Sequence, residues 1–310
     1  MEYRNTNELH LVLKDNNVST KTKEKLSTTG RIVSLILTYL FIVLMAILII
    51  FPFYWMIITS LKTGEEIQRL QPTFWPEIIM WSNYSEAITR MNFGTLLTNT
   101  LIVGIFSTLG TLFTTIFAAF AFARLEFKGK NMMFSILLAT MMIPGEMMVI
   151  SNYISVSSLG MTGGTNRIGA YLAMILPFLI SVFYIYLLRQ NFKQIPNELY
   201  LAAKVDGKSD WAFLWKVMVP LAMPTLTTIF ILKLMGTWNA YVWPNLITSG
   251  NDSLKLISNG LRDSFNTAGN PDDYGVQMAA TVIVTVPLLL LFIIFRKYIM
   301  RGVGRAGIKG

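Results

Sequence analysis

The segment "ELYLAAKVDGKSDWAFLWKVMVP", residues 198–220, decides how this chain is read. Its "GKS" at Gly207, Lys208 and Ser209 has the ending of a phosphate-binding loop, which would make the protein a nucleotide-binding enzyme. Such a loop needs a second glycine five residues before the first of these three, so that consecutive backbone N–H groups can curl around phosphates. Ala202 stands there, and no β-branched strand precedes it. Two short helices joined by a turn fit the residues better. Asn197 after Pro196 can cap the first helix, and Leu199, Ala202 and Ala203 fall at i, i+3 and i+4 on one face. Gly207 supplies the positive φ that ends it, and Ser209 can cap a second helix running toward Trp215 and Lys216. A helix of about eight residues is marginal alone. Something must hold it, either a groove on a partner or the chain's own apolar body.

That body reads as a membrane domain. Of 310 residues, 53% are hydrophobic and 14% charged, with a mean hydropathy of +0.52, whereas soluble domains carry roughly 25% charge. Residues 32–61, 91–123, 168–188 and 274–295 hold no charge at all, and a spanning helix needs about 20 mainly apolar residues. Residues 131–150, with Pro144 and Glu146, and residues 217–243, with Pro220, Pro224 and Lys233, make two further spans. The expectation is therefore an all-α membrane protein with six transmembrane helices. The first run is too long for a cleaved signal peptide, and "FPFYWM" follows it where a small-residue cleavage site would lie, so it stays as an anchor.

The net charge of +9 is explained by where the charges lie. With the N-terminus inside, 19 of the 26 Lys and Arg fall in inner segments, six in outer ones, and Lys233 alone within a span. This is the bias that orients membrane proteins, with both termini cytoplasmic, and it needs no nucleic acid. Absence of cysteine excludes disulfides and thiolate metal sites, and the one histidine, His10, sits in a polar tail. No metal site and no catalytic group are expected.

Several stretches between the spans carry signals of their own. Residues 1–30 are polar without a periodic apolar face, which predicts disorder or a loose inner arm. Phe74, Trp75, Trp81 and Tyr84 suit the headgroup layer, with a sugar-stacking surface as the alternative. "MMIPGEMMVI", residues 141–150, predicts a break at Pro144 and Gly145. Gly160 and Gly164 have GxxxG spacing but sit in a turn-rich stretch, which argues against a helix-pairing face. Residues 247–275 are dense in Gly, Asn, Ser and Asp and read as a long outer loop, functional or mobile.

The spacing of residues 202–220 also resembles a known motif. Ala202 and Ala203, three residues, Gly207, nine residues, Val217, then Val219 and Pro220 match the EAA loop of ABC importer permeases. "SLKTGEEI" (60–67), "NTL" (99–101), "WNAYVWP" (238–244) and the ending "GVGRAGIKG" resemble the carbohydrate-uptake branch, in particular the smaller permease of maltose-type importers. The resemblance implies a type I ABC importer permease fold in a bacterial inner membrane, crossing it several times. It implies partners: a second permease subunit, a dimer of ABC ATPases that uses ATP and Mg, an extracytoplasmic sugar-binding protein, and membrane lipid. The chain itself would hold no cofactor, catalyse nothing and form half of a translocation path.

Residue by residue, the resemblance assigns ATPase coupling to Glu198, Leu201, Ala202, Ala203, Asp206 and Gly207 within an inner loop of residues 189–216. The motif's glutamate position is Leu201 here, and Glu198 stands one turn earlier. Binding-protein contact falls on Asn266, Ala268, Asn270 and Asp272 in the outer loop, residues 245–275. The implied organisation is a cytoplasmic tail (1–31), a first span (32–61), an outer segment (62–94), a five-span core (95–298) and a second cytoplasmic tail (299–310). The same architecture could import another solute such as a polyamine. An ion-coupled secondary transporter would want intramembrane acids and a repeat, while only Glu146 and Lys233 lie within expected spans.

Overall fold

The computed structural model describes residues 6–162, 166–265 and 273–304, which hold helices and no β-strand. The chain divides into two compact units, residues 1–58 and 59–310. The first unit is carried by one helix, α1 (Thr6–Ser60), with Pro52 inside it. The arm expected to be disordered is helical from Thr6. Between residues 6 and 29 there is neither Pro nor Gly, and a helix already nucleated in the apolar stretch extends without a second nucleation cost.

The second unit opens with α2 (Gly64–Ile67) and α3 (Ser82–Arg90). α4 (Phe93–Arg124), at 32 residues, is as long as the last helix. It is followed by α5 (Lys130–Thr140), α6 (Val149–Ser158), α7 (Arg167–Ile175) and α8 (Val182–Gln194). Next come the short helices α9 (Asn197–Val205), α10 (Asp210–Phe213) and α11 (Val219–Leu221), then α12 (Met223–Trp238). α13 (Val242–Ile247), α14 (Ile257–Ser264) and α15 (Asp273–Gly304) complete the order.

Three stretches, Ile32–Ser60 of α1, α4 itself and Asp273–Lys297 of α15, are long and apolar enough to cross a membrane singly. Three bent pairs pass the same test together: α5 with α6 at 86°, α7 with α8 at 51°, and α10–α11 with α12 at 76°. The first bend falls at Pro144 and Gly145. The second interrupts residues 168–188, which the sequence reading took as one unbroken span. Pro177 has no N–H to continue the ladder, and Ser181 starts a new helix by accepting from Tyr184 N.

A break in an apolar surrounding frees carbonyls that need donors, and α4 supplies them. Thr111 Oγ1 donates to Phe178 O at 3.1 Å and Thr114 Oγ1 to Leu179 O at 2.7 Å. Close approach makes this reach possible. A Cβ on Gly104 would stand 2.8 Å from Leu234 Cδ1 of α12, and one on Gly110 would collide with Leu179. At its first end α4 places the buried Asn99, whose Nδ2 donates to Ser253 O at 2.9 Å and Lys255 O at 3.0 Å while its Oδ1 accepts from Tyr171 OH at 2.6 Å. Thr100 Oγ1 accepts from Ile257 N at 2.8 Å.

Those contacts fix the segment after α13, which is packed rather than a plain loop: Leu254, Leu256 and Ile257 are fully buried. Its polar composition hid this short apolar run. The segment before α3 is also built, around two buried charges. Lys62 donates to Thr73 O, and Glu66 accepts from Thr73 Oγ1 and from Glu77 N at 3.2 Å. Asn83 Nδ2 then ties α3 to Ser60 O at 3.0 Å and Lys62 O at 3.1 Å.

The α7–α8 break yields a test. Replacing Thr111 and Thr114 together by valine keeps their volume and removes both donors, at about 1 kcal/mol each. The thermal midpoint of the detergent-solubilised chain should fall, whereas Thr98→Val, whose hydroxyl donates to Gly94 O of its own helix, should leave it in place. Equal midpoints for all three proteins would contradict this account of the break.

Candidate functional site

α9 and α10 form an elbow at the Arg124 end of α4. The turn between them closes in two bonds: Gly207 N donates to Lys204 O at 3.0 Å and Lys208 N to Ala203 O at 2.9 Å, with Gly207 at φ +70°. This is the αL helix ending that glycine favours. Ser209 Oγ accepts from Ala212 N at 3.2 Å and starts α10. Two side chains staple the arms together, since Asp210 Oδ1 accepts from Tyr200 OH at 2.8 Å and from Lys204 Nζ at 2.7 Å. The hydrogen bond to Asp210 holds the Lys204 ammonium above its usual range. Burial, and then Asp210, push the Tyr200 hydroxyl up.

Two local expectations need correction. Asn197 is the first helical residue rather than the cap, which is Pro196 without a side-chain bond. The Asn197 amide oxygen instead accepts from Arg124 Nη1 at 3.2 Å. Arg124 also donates to Phe192 O at 2.9 Å and to Ile195 O, so one guanidinium ties the end of α8 and the start of α9 to α4. The second correction concerns the face. Leu199, Ala202 and Ala203 do not act together: Ala203 and Tyr200 pack inward with Phe213, Leu214, Leu188 and Phe192, while Leu199 and Ala202 are exposed. The aromatic bulk of Tyr200, edge-on to Phe213 with ring centres 5.1 Å apart, sets the rotation.

The outward stripe is Glu198, Leu201, Ala202 and Val205, at i, i+3, i+4 and i+7. Leu201 is 56% exposed and Val205 88%. Asp206 and Gly207, both exposed, sit at its end. The structure thus gathers five of the six residues assigned to coupling on one open surface and turns Ala203 into the core. Val205 was not singled out from sequence, although its place seven residues after Glu198 was the available signal.

Beyond the elbow, residues 214–218 widen into a π-helical turn and the chain bends at Ala222 into α12. α12 carries Lys233 to a half-enclosed cavity of about 600 Å³. Its lining includes Glu146, Phe178, Tyr184, Tyr241 and Trp243. Lys233 Nζ donates to Phe178 O at 3.1 Å, and among the described residues no carboxylate lies within ion-pair distance of it. The two charges expected inside spans therefore share one cavity. Asn266, Ala268, Asn270 and Asp272 lie outside the described residues, as does Gly164. The described start of α15 beside them is held by Asp273, which accepts from Arg90 at 2.7 Å and 3.0 Å.

Residues 110–305, from the middle of α4 through the elbow and the cavity, match the family described as binding-protein-dependent transport system inner membrane component. The chain belongs to this family. It is similar to the arabinooligosaccharides transport system permease protein AraQ of Bacillus subtilis, at 28% identity over 277 residues, covering 87% of this chain and 94% of that protein. The lactose transport system permease protein LacG of Rhizobium radiobacter is 28% identical over 269 residues, covering 86% and 94%. UgpE of Yersinia pestis, an sn-glycerol-3-phosphate transport system permease protein, is 26% identical over 273 residues, covering 86% and 95%. A solved bacterial ABC transporter involved in the import of the acidic polysaccharide alginate contains a chain of the same fold, with a TM-score of 0.75 at 23% identity over 85% of this chain and 95% of that one. The protein is a permease, an inner-membrane component of a transport system.

The elbow's turn can be tested in this permease. Space around Gly207 is open, so a substitution there acts through φ alone. Gly207→Val should strain the turn by about 1 to 3 kcal/mol and lower transport sharply at normal membrane levels, while Gly207→Asn, which tolerates αL, should keep most of it. Equal uptake by the two variants would contradict the turn's role.

Proposed function

We propose that this permease is one of two membrane subunits of an ATP-driven importer, forming half of the path for a sugar or oligosaccharide handed over by an extracytoplasmic binding protein. The observation that carries the proposal is the exposed stripe of Glu198, Leu201, Ala202 and Val205 on an elbow whose other face is locked into the core. A short helix so presented suits a groove on a partner. The partner is an ABC ATPase dimer that binds ATP with Mg. The chain crosses a bacterial cell membrane six times with both termini cytoplasmic, a reading supported by 19 of 26 Lys and Arg falling in inner segments. Residues 62–94 and 245–275 then lie outside, with Asn266, Ala268, Asn270 and Asp272 facing the binding protein.

The contacts supply a route from ATP to substrate. When the ATPases close they draw α9 with them. The Tyr200–Asp210–Lys204 staple passes that motion to α10, and Phe213 and Leu214 press it onto Ile116, Ala119 and Phe120 of α4. The bend at Ala222 hands it to α12 and so to the cavity around Lys233. Phe178, Tyr184, Tyr241 and Trp243 offer ring faces for a sugar. The names of two relatives, for arabinooligosaccharides and for lactose, support the sugar reading.

The test is co-expression with the neighbouring ATPase, second permease and binding protein, followed by uptake of oligosaccharides into proteoliposomes. ATP-dependent uptake of a sugar, and none of a polyamine, is expected; the reverse would overturn the substrate class. Glu198 gives a sharper prediction, because it is the one carboxylate on the stripe. Removing one member of a buried interfacial ion pair costs about 2 to 5 kcal/mol, whereas losing a helix-end charge costs about 0.3 to 1 kcal/mol. Glu198→Ala should therefore reduce ATPase retained through purification at least about tenfold, and adding Leu201→Glu should restore much of it. Full retention in the single variant would leave Leu201 as an apolar contact instead.

A further inference from the structure

We propose that the groove between the α4–α5 turn and α8 binds a phosphate group, as a free anion or as the headgroup of an anionic phospholipid. The groove encloses about 460 Å³ and is lined by Glu126, Gly129, Lys130, Asn131, Arg189 and Lys193, among others. None of its lining residues belongs to the cavity around Lys233. Two independent features converge in it.

The first is a start of helix without a cap. α5 begins after Gly129, at φ +79°, and among the described residues no side chain caps its start. Lys130 N is taken by Phe127 O at 3.3 Å, while Asn131 and Met132, the next residues of this first turn, line the groove, and a helix N-terminus favours an anion. The second is Arg189, only 7% exposed. Its Nε donates to Phe122 O at 3.0 Å and its guanidinium lies 3.8 Å from the centre of the Phe134 ring. These contacts fix the plane of the fork while leaving both terminal Nη groups without an acceptor among the described residues. A planar donor pair held in place that way, and open to the groove, matches two oxygens of a phosphate.

Charge in the groove is unbalanced. Lys130 is already committed, donating to Leu125 O at 2.7 Å and to Glu126 Oε1 at 3.2 Å. Arg189 and Lys193 have no carboxylate within ion-pair distance among the described residues. An anion supplies what this arrangement lacks. The position also matters mechanically, since Arg189 binds the carbonyl of Phe122, two residues before Arg124, which ties the elbow to α4. An occupied groove would stiffen the base on which the coupling elbow sits.

The experiment takes the full-length chain, delipidated in detergent, and counts bound molecules by native mass spectrometry with phosphatidylglycerol, phosphatidylcholine or inorganic phosphate added. Lys193→Gln removes an exposed charge, and Arg189→Lys keeps the cation but loses the fork. One phosphatidylglycerol should be retained in preference to phosphatidylcholine; Lys193→Gln should lower its occupancy about fivefold, the effect of one cation near an anionic headgroup, and Arg189→Lys should lower it too, through loss of the two-oxygen fit. Binding of inorganic phosphate with the same dependence on Arg189 and Lys193, without a preference between the lipids, would assign the same site to a free anion. An anion preference that both variants leave unchanged, or no anion preference at all, would overturn the proposal.

Discussion

A helix that breaks within a membrane must find donors for the carbonyls it releases, and in this permease those donors come largely from α4. Thr111 and Thr114 serve the break between α7 and α8; beyond the spans α4 also holds the return before α14, where Asn99 donates and Thr100 accepts, and the turn from α8 into α9 through Arg124. Water cannot do this work in hydrocarbon. The donors therefore have to be side chains of a neighbouring helix that lies close enough, and Gly104 and Gly110 let α4 approach α12 and Leu179 closely. One helix thereby sets the positions of both ends of the unit.

That constraint has a functional consequence. Arg124 contacts Asn197, Phe192 and Ile195, so the base of the elbow and the end of α8 are fastened to the same residue. The aromatic group of Phe117, stacked on Trp211 with ring centres 5.7 Å apart and edge-on to Trp215 at 6.2 Å, fastens the second arm to α4 as well. An elbow held this way cannot tilt without moving the helices that line the cavity. The Glu198 stripe is left free to engage a partner, and the proposed coupling follows from this division between a locked face and an open one.

Much of this was legible where the requirement is local. Gly207 and Ser209 could be read because a positive φ and a helix cap each depend on one residue and its near neighbours. The apolar runs and the break at Pro144 were visible for the same reason. Asn197 was misread because its partner, Arg124, is 73 residues away, and no local rule predicts that an amide suited to capping will serve a distant guanidinium. The inward turn of Ala203 depends on Tyr200 meeting Phe213 across the elbow. The packed run Leu254, Leu256 and Ile257 was lost among polar neighbours, and the convergence of Glu146 with Lys233 is tertiary. The break at Pro177 had a signal, and its apolar surroundings outweighed it.

The central claim is that the open stripe of α9 is the surface on which the ATPase docks. The chain contains no cysteine, so a single engineered one reports its own surroundings without background. Val205→Cys, at an exposed position of the stripe, should form a cross-link to the ATPase subunit when the assembled importer is labelled with a short maleimide–diazirine reagent and irradiated, and ATP should change its yield. Ser158→Cys, at the end of α6, should give no such product. A Val205→Cys protein that assembles and transports but never cross-links to the ATPase, or a Ser158→Cys protein that does, would contradict the account.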